Sequence, residues 1–543
     1  MLSSSYGIQN LLKEGYKHYA GLEEAILRNI EACKGVSNLT KTSFGPNGMK
    51  KLVVNHIDKL FVTNDAATIL REVEVHHPAA RLVALAAKMQ KEDFGDATNY
   101  VVTLAGELLV QAEALIRTGL HPSAIISGYE LGLAEAQRLL AASVALTVAD
   151  ARDADVITRV IESALAPKLP SHHAFFAQLT AKACLAVLGE GEGSARFSAE
   201  NVRLVKVLGG SLEDSELVRG FVIPRGLESS GREGGEKLRV AVFGVPFDPQ
   251  EAETKGTVLI SNAQQLLDYT KTEESYAEKL VRELVDAGVG MVVAGGSVSE
   301  LCMHYLNKYG LLVLRLMSKF ELARLAKSIN ATVLSKLRAP TPDEAGYAES
   351  VRVREVGSTR VTAFERAGDS SQLVTIMLRG ATHSSMENVE RALENGLSAY
   401  KQLLHDPRYV HGAGAIEAHL VNKIESFATS HTGLEQYACL KFGQAFEAVP
   451  KILVDNAGLN SNTELPTLLA GNVERPCRGV DVFGGALADS ESLRVYDSLA
   501  AKANAITLAA HAALTVLRVD QIIMAKPAGG PKAPNNSGWD NQD

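Results

Sequence analysis

The sequence predicts a multidomain α/β protein, and three observations lead there. The chain has 543 residues, 46% of them hydrophobic and 22% charged, which is ordinary globular material and enough for about three domains. Residues 1 to about 145 read as mainly helical. Residues 210 to 370 change character: strand patterns at Leu238 to Val245, Thr257 to Ile260, Met291 to Ala294 and Leu311 to Leu316 alternate with helix patterns at Ala263 to Ala287, Val298 to Tyr309 and Lys319 to Ile329. Such βα alternation predicts a separate α/β domain.

Within the first stretch the amphipathic run Leu22, Ile26, Ile30, Cys33 leads into the Gly/Pro turn 42–48. A hairpin is expected from Leu52 to Thr63, turning at His56 to Lys59. Ala/Leu-rich runs at Ala79 to Lys91 and Leu104 to Arg117 have faces that can pack together, and Pro122 opens a further helix from Ser123 to Ala142. From Asp150 to about Gly209 the pattern stays helical, broken at Ala166 to Pro170. After Gln372 come an apolar strand, Leu373 to Leu378, and a long helix with the stripe Met386, Val389, Leu393, Leu397, Tyr400, Leu404. Asn395 lies off that stripe and is expected to face away from the helix's packing surface.

Composition excludes several functions. Lys plus Arg number 55 against 63 Asp plus Glu, a net charge of −8, and no basic tract is interleaved with aromatics, so nucleic-acid binding is disfavoured. Met1 to Lys17 lacks the apolar core of a signal peptide, and no uninterrupted apolar run approaches the roughly 18 residues of a membrane span, so a cytoplasmic protein without a membrane partner is expected. The five cysteines are scattered and never form a CxxC pair, the pattern of reduced, buried thiols. The pairs His76-His77 and His172-His173 lack a Cys or acidic partner at metal-ligand spacing.

Chemistry concentrates in short loops. In Gly95-Asp96-Ala97-Thr98-Asn99-Tyr100 a carboxylate and a hydroxyl precede a helix. Helix-start N–H groups attract anions and an Asp can hold the Mg²⁺ of a triphosphate, although Asp and Thr before a helix also read as plain N-caps. Thr42-Ser43-Phe44-Gly45-Pro46-Asn47-Gly48 and Thr63-Asn64-Asp65-Ala66-Ala67-Thr68 read either as turn and cap or as further parts of the same site. Three such elements within about sixty residues suit phosphoryl transfer, which is mostly positioning and charge neutralisation. No Gly-Lys pair occurs, so the P-loop signature is absent, and Gly288-Val289-Gly290 fails as a dinucleotide fingerprint because its third glycine is misplaced.

TSFGPNG, TNDAATIL, GDATN, HGAGAIE, NAGL and VLRVDQIIMAKPAGGPK, spread from residue 42 to 532, resemble the group II chaperonins in order and spacing. The resemblance implies a helical equatorial domain made from residues 1–145 and 405–527, a small intermediate domain from 146–213 and 370–404, an inserted α/β apical domain at 214–369 and a disordered tail at 528–543. It implies a helical protrusion near Phe247 to Gly256 that serves as a lid over substrate; taken alone, that stretch reads as a solvated loop. It further implies ATP and Mg²⁺ as cofactors, paralogous subunits in a double ring, and non-native clients such as actin and tubulin.

Residue by residue, the resemblance assigns Asp96 to Mg²⁺, Asp65 to polarising the attacking water, and Phe44, Gly45, Pro46, Thr98, Asn99 and Tyr100 to ATP. Lys168, otherwise a solvated turn lysine, matches a γ-phosphate sensor; Gly412, Gly414 and Asp497 match the ribose contact, and Asn456 to Leu459 lies near the base. The departures cluster at the site. Ala66, Ala97 and Ala413 stand where the family has glycine, and they crowd the nucleotide wherever backbone φ must be positive. In Glu390-Arg391-Ala392-Leu393-Glu394-Asn395, matching ER-x-x-x-D, the catalytic Asp of the family is its amide, Asn395. An amide orients water but takes up no proton, so slow ATP hydrolysis is expected, and the alternative function is a hydrolysis-deficient ring subunit contributing geometry and client surface. A metabolic α/β kinase is disfavoured by the split domain pattern and by the lack of a small-substrate constellation.

Overall fold

The computed structural model describes residues 22–188, 197–229, 234–248, 262–365 and 373–522. The chain forms two units, one from residues 1–146 and 409–543, the other from 147–408.

The first unit is built on helices from both ends of the chain. Leu22–Lys41, Pro78–Phe94, Thr98–Arg117 and Pro122–Ala142 come from the N-terminal part, and Ala415–Ser430, Glu435–Ala445 and Leu499–Leu517 from the C-terminal part. Pro78 and Pro122 occupy first helical positions, where the missing N–H costs nothing and φ is already helical. Thr98–Arg117 is buried on nearly all sides, as its predominantly apolar composition demands, and so becomes the central helix. Its Leu104 and Leu108 share one core with Val83, Tyr129, Ile416, Leu420, Phe442 and Ile506. Polar stitches cross between the two chain halves: the Gln90 amide donates to the Ala501 carbonyl at 3.1 Å and accepts from the Asn504 amide at 2.9 Å. The hairpin is Lys51–Val54 with Leu60–Thr63, antiparallel, with Asp58 at φ 55° in its turn. Val53 and Phe61 point inward with Ile69, while Leu52, Val54 and Leu60 are exposed, the period-2 alternation of a two-faced ribbon.

Leu499–Leu517 is long and apolar enough by composition to cross a membrane, although Lys502, Asn504 and His511 interrupt its apolar run. It is instead a core helix, with Ala505, Ile506, Ala509, Ala510 and Ala513 buried against its neighbours.

The second unit holds a seven-stranded sheet in the order Phe221–Ile223, Thr359–Glu365, Gly346–Val356, Gly234–Phe243, Val289–Ala294, Leu312–Arg315, with Val333–Leu334 also on Gly234–Phe243. Gly234–Phe243, Val289–Ala294 and Leu312–Arg315 run parallel, with Val240 opposite Met291 and Val292 opposite Val313. Alternate residues divide cleanly between the faces. Val240, Val242, Met291, Val293, Leu312 and Leu314 meet Leu322 and Leu325 of helix Lys319–Ser328. Ala241, Phe243, Val292, Ala294 and Val313 meet Ala277, Leu280, Val281 and Leu284 of Ala263–Asp286 and Cys302 and Leu306 of Glu300–Lys308. Burial on both faces explains why these strands read as unbroken apolar runs.

Beside it a three-stranded sheet orders Val202–Leu208, Val374–Gly380 and Glu216–Arg219, with helices Ala154–Leu165, His173–Leu188 and His383–His405 in the same unit. Val202–Leu208 corrects the helical reading of 150–209: Val202, Val205 and Val207 are buried, and β-branched residues fit a pleated surface. The antiparallel pair Gly346–Val356 and Thr359–Glu365 was not foreseen. The pattern Thr257 to Ile260, the stretch 249–256 and the tail lie outside the described residues. Cys33, Cys184, Cys302 and Cys439 are buried free thiols, and burial pushes Cys33 up to about 12 and Cys302 and Cys439 to about 11. His172 and His173 do have acidic neighbours, Glu213 at 3.7 Å and Glu162 at 3.3 Å, which no local spacing could show.

Candidate functional site

The site starts at a helix whose N-cap residue has no capping side chain. Pro78–Phe94 ends with Gly95 at φ 75°, and Thr98–Arg117 begins three residues later with Ala97 as its N-cap at φ 61°. The plain N-cap reading of Asp96 and Thr98 therefore fails: the cap position is held by Ala97, which has no side-chain oxygen and makes no side-chain cap hydrogen bond. Thr98 is the first helical residue and is buried. The first-turn N–H groups of a 20-residue helix have no intrahelical acceptor, which leaves a concentration of positive partial charge beside Asp96. Asn99 ties this start to the preceding layer, its amide donating to the Thr40 carbonyl at 3.1 Å.

The turn 42–48 begins where Leu22–Lys41 ends. Gly45 sits at φ 79°, a conformation that favours glycine, and a Cβ there would lie 2.8 Å from Leu453 Cδ2, so that side chain would have to shift. Asn456 holds the turn from across the chain, its amide donating to the Phe44 carbonyl at 2.8 Å and reaching the Lys41 carbonyl at 3.4 Å. Phe44 and Pro46 are half-buried.

Leu453 also faces the second glycine turn, since a Cβ on Gly414 would come within 3.7 Å of its Cδ1. Gly414, at φ 82°, caps helix Ala415–Ser430, and Ala413 before it is at φ 54°. Strand Arg408–His411 pairs with Tyr496–Ser498, placing Val410 opposite Asp497. A Cβ on Gly412 would stand 3.4 Å from Asp497 Cγ, so the absent side chain keeps that carboxylate accessible.

Asp65 is a cap, as one of its two readings held: it precedes Ala66–Glu72, and its Oδ2 accepts from the Thr68 N–H at 3.2 Å and the Thr68 hydroxyl at 2.7 Å. Lys91 Nζ lies 2.6 Å from the same oxygen. Because Lys91 stands in the last turn before Gly95, this half-buried ion pair fastens Asp65 beside the 95–97 turn.

Phe44, Gly45, Pro46, Asp65, Asp96, Thr98, Asn99, Tyr100, Gly412, Gly414 and Asp497 thus belong to the first unit, linked through Thr40, Leu453, Asn456 and Lys91. Lys168 and Asn395 belong to the second. There the Lys168 N–H donates to the Leu165 carbonyl, and Gly396, next to Asn395, packs on Ile161 and Leu165. Asn395 corrects an expectation: it is 2% exposed, not turned away from packing. The helix His383–His405 buries Ala392, Asn395 and Gly396 as well as its apolar stripe, and its last buried leucine is Leu403 in place of Leu404.

Sequence reasoning missed Glu417 and Lys502. Both are buried, and Lys502 Nζ lies 2.6 Å from Glu417 Oε1 and 2.6 Å from Asp497 Oδ2. The same ammonium sits 4.6 Å from the centre of the Tyr100 ring. Burial, then the nearby Glu417 carboxylate, holds the Tyr100 hydroxyl well above its ordinary pKa. A signal existed: each is a lone charge among apolar neighbours, Lys502 being the only Lys, Arg, Asp or Glu in its 19-residue helix.

The three alanines that replace glycine separate by geometry. Ala97 and Ala413 occupy left-handed backbone, while Ala66 is not among the positive-φ residues and begins a helix. Left-handed φ costs an alanine about 1–2 kcal/mol, of which the greater freedom of glycine in the unfolded chain offsets about 0.4–1. Ala97→Gly and Ala413→Gly should therefore each stabilise the chain slightly and Ala66→Gly should destabilise it, giving thermal-denaturation shifts of opposite sign. Shifts of the same sign at all three positions would contradict this assignment.

Against known families, residues 36–527 match the TCP-1/cpn60 chaperonin family, and the chain belongs to it. It is 44% identical over 535 residues to T-complex protein 1 subunit theta of Arabidopsis thaliana, covering 98% of this chain and 97% of that one. With the Dictyostelium discoideum subunit theta it shares 41% over 538 residues (99% and 100% covered), and with that of Homo sapiens 42% over 539 (98% and 97%).

Proposed function

We propose that this chain is an ATP-binding subunit of a cytosolic, hetero-oligomeric chaperonin double ring that encloses non-native polypeptides, actin and tubulin among them, and that it hydrolyses ATP slowly. Likeness to theta subunits over nearly the whole chain supports the ring and the paralogous partners. The observation that carries ATP binding is the start of Thr98–Arg117 at Ala97, an N-cap with no side-chain oxygen, bordered by Asp96 and by the turn 42–48. Phosphate oxygens supply the acceptors that the N-cap lacks. Among the described residues no group of three or more His, Cys, Asp or Glu gathers to bind a metal, which fits Mg²⁺ better than a protein-caged ion. Asp96 would hold it, with phosphate and water completing the shell, and the ion would neutralise charge on the triphosphate.

On this reading Phe44, Gly45 and Pro46 line the nucleotide, Gly412, Gly414 and Asp497 take the ribose, Asp65 orients the attacking water and Lys168 senses the γ-phosphate. Asn395, standing at the position of the family's Asp, favours the slow-turnover form of this function. Titration calorimetry tests the binding claim: Asp96→Ala should weaken Mg-ATP binding by tenfold or more while leaving the melting profile in place. Unchanged affinity in that variant would remove Asp96 from the site.

A further inference from the structure

The Glu417–Lys502–Asp497 cluster is an odd thing to find in a helical core. Glu417 is fully buried and Lys502 is 7% exposed, whereas the Asp497 side chain is 38% exposed. Buried ion pairs add little net stability over apolar packing, so fold stability gives little reason to keep this one. Its geometry is directional. The ammonium donates to Asp497 at the rim and lies 2.6 Å from the buried Glu417 carboxylate, and the Tyr100 ring covers the cation 4.6 Å away. Asp497 cannot swing freely, because its Oδ2 is fixed by Lys502 at 2.6 Å while its backbone is fixed in the pairing with Val410. One carboxylate oxygen, Oδ1, remains to accept a hydroxyl on the side that Gly412 leaves clear.

We infer that Lys502 is a positioning residue that locks the Asp497 carboxylate for recognition of a nucleotide ribose hydroxyl, with Glu417 as the buried counter-charge that holds Lys502 in place. The inference rests on the proposal that the site binds ATP with its ribose at Asp497. Lys502 joins the parts of the site: Tyr100 follows the helix start, Glu417 follows the Gly412–Gly414 turn, and Asp497 faces that turn. Removing the cation frees Asp497 to rotate into solvent, so hydroxyl recognition falls while the phosphate contacts, which belong to other residues, persist.

The test is the ratio of affinities of the full chain for Mg-ATP and for its 2′-deoxy and 3′-deoxy analogues. A hydrogen bond to a fixed carboxylate discriminates roughly tenfold to hundredfold in favour of the hydroxyl. Lys502→Met should shrink that ratio to below about threefold, and Lys502→Arg should retain most of it. In an Asp497→Asn background, Lys502→Met should change the ratio no further. Should Lys502→Met fail to fold, the isosteric Glu417→Gln serves, and its ratio should fall between those of the parent and Asp497→Asn. Equal weakening of all three nucleotides with an unchanged ratio would mean a purely structural cluster and overturn the inference. A parent that binds ATP tightly but ignores both hydroxyls would overturn the Asp497 assignment and this inference together, while leaving the ATP reading intact. A parent that binds no ATP would remove that reading as well.

Discussion

Asn395→Asp should raise phosphate release from this subunit by about 10² to 10⁴, measured in a ring whose other sites are inactivated. An amide donates and accepts hydrogen bonds but cannot take up the proton that leaves the attacking water. The burial of position 395 strengthens the expectation. A carboxylate placed there is desolvated, its pKa rises toward neutrality, and a base with a pKa near the working pH transfers protons most effectively. The other carboxylates close in sequence are poor substitutes. Asp406 is hydrogen-bonded by the Arg408 guanidinium, which holds it below the usual carboxylate range. Glu394 is on the exposed side of the helix. If the variant releases phosphate no faster, or the parent already turns over briskly, position 395 is not where the proton goes.

The second large effect is at Asp65, and the structure dictates which substitution reveals it. Asp65→Ala removes an N-cap, which costs about 0.5–2 kcal/mol, and also deprives Lys91 of its partner. Lys91 is 28% exposed and can turn to water, so the second loss is less than that of a fully buried pair. Asp65→Asn keeps an oxygen for the Thr68 N–H and separates chemistry from folding. Single-turnover hydrolysis by Asp65→Asn should fall by about 10² or more, most visibly in the Asn395→Asp background, with Mg-ATP affinity within a few fold of the parent. Hydrolysis that persists at the parental rate would reduce Asp65 to a cap.

Sequence was informative where a pattern is local. The hairpin was legible because the mostly polar turn His56 to Lys59 interrupts two β-rich runs, and the parallel strands because burial on both faces writes continuous apolar stretches. The glycine turns could be located, but whether Ala66, Ala97 and Ala413 differ could not, since φ is set by how each turn enters its helix. Asn395 was misplaced because a stripe argument assumes one packing surface, and His383–His405 is buried on more than one side. The Glu417–Lys502 pair was invisible for a simpler reason: its members are 85 positions apart and meet only through the fold.

The division of the first unit between the two ends of the chain has a consequence for how the protein is made. Its opening helices leave the ribosome about 260 residues ahead of their partners, and translation at about 5–20 residues per second makes that interval roughly 13 to 50 s. Throughout it the apolar faces of Thr98–Arg117 and Pro122–Ala142 lack Phe442 and Ile506 to cover them. The inserted segment 147–408 carries its own cores and is free to fold in the meantime. A nascent chain arrested at that stage should therefore expose adhesive surface and call for protection by other chaperones until its last helix emerges.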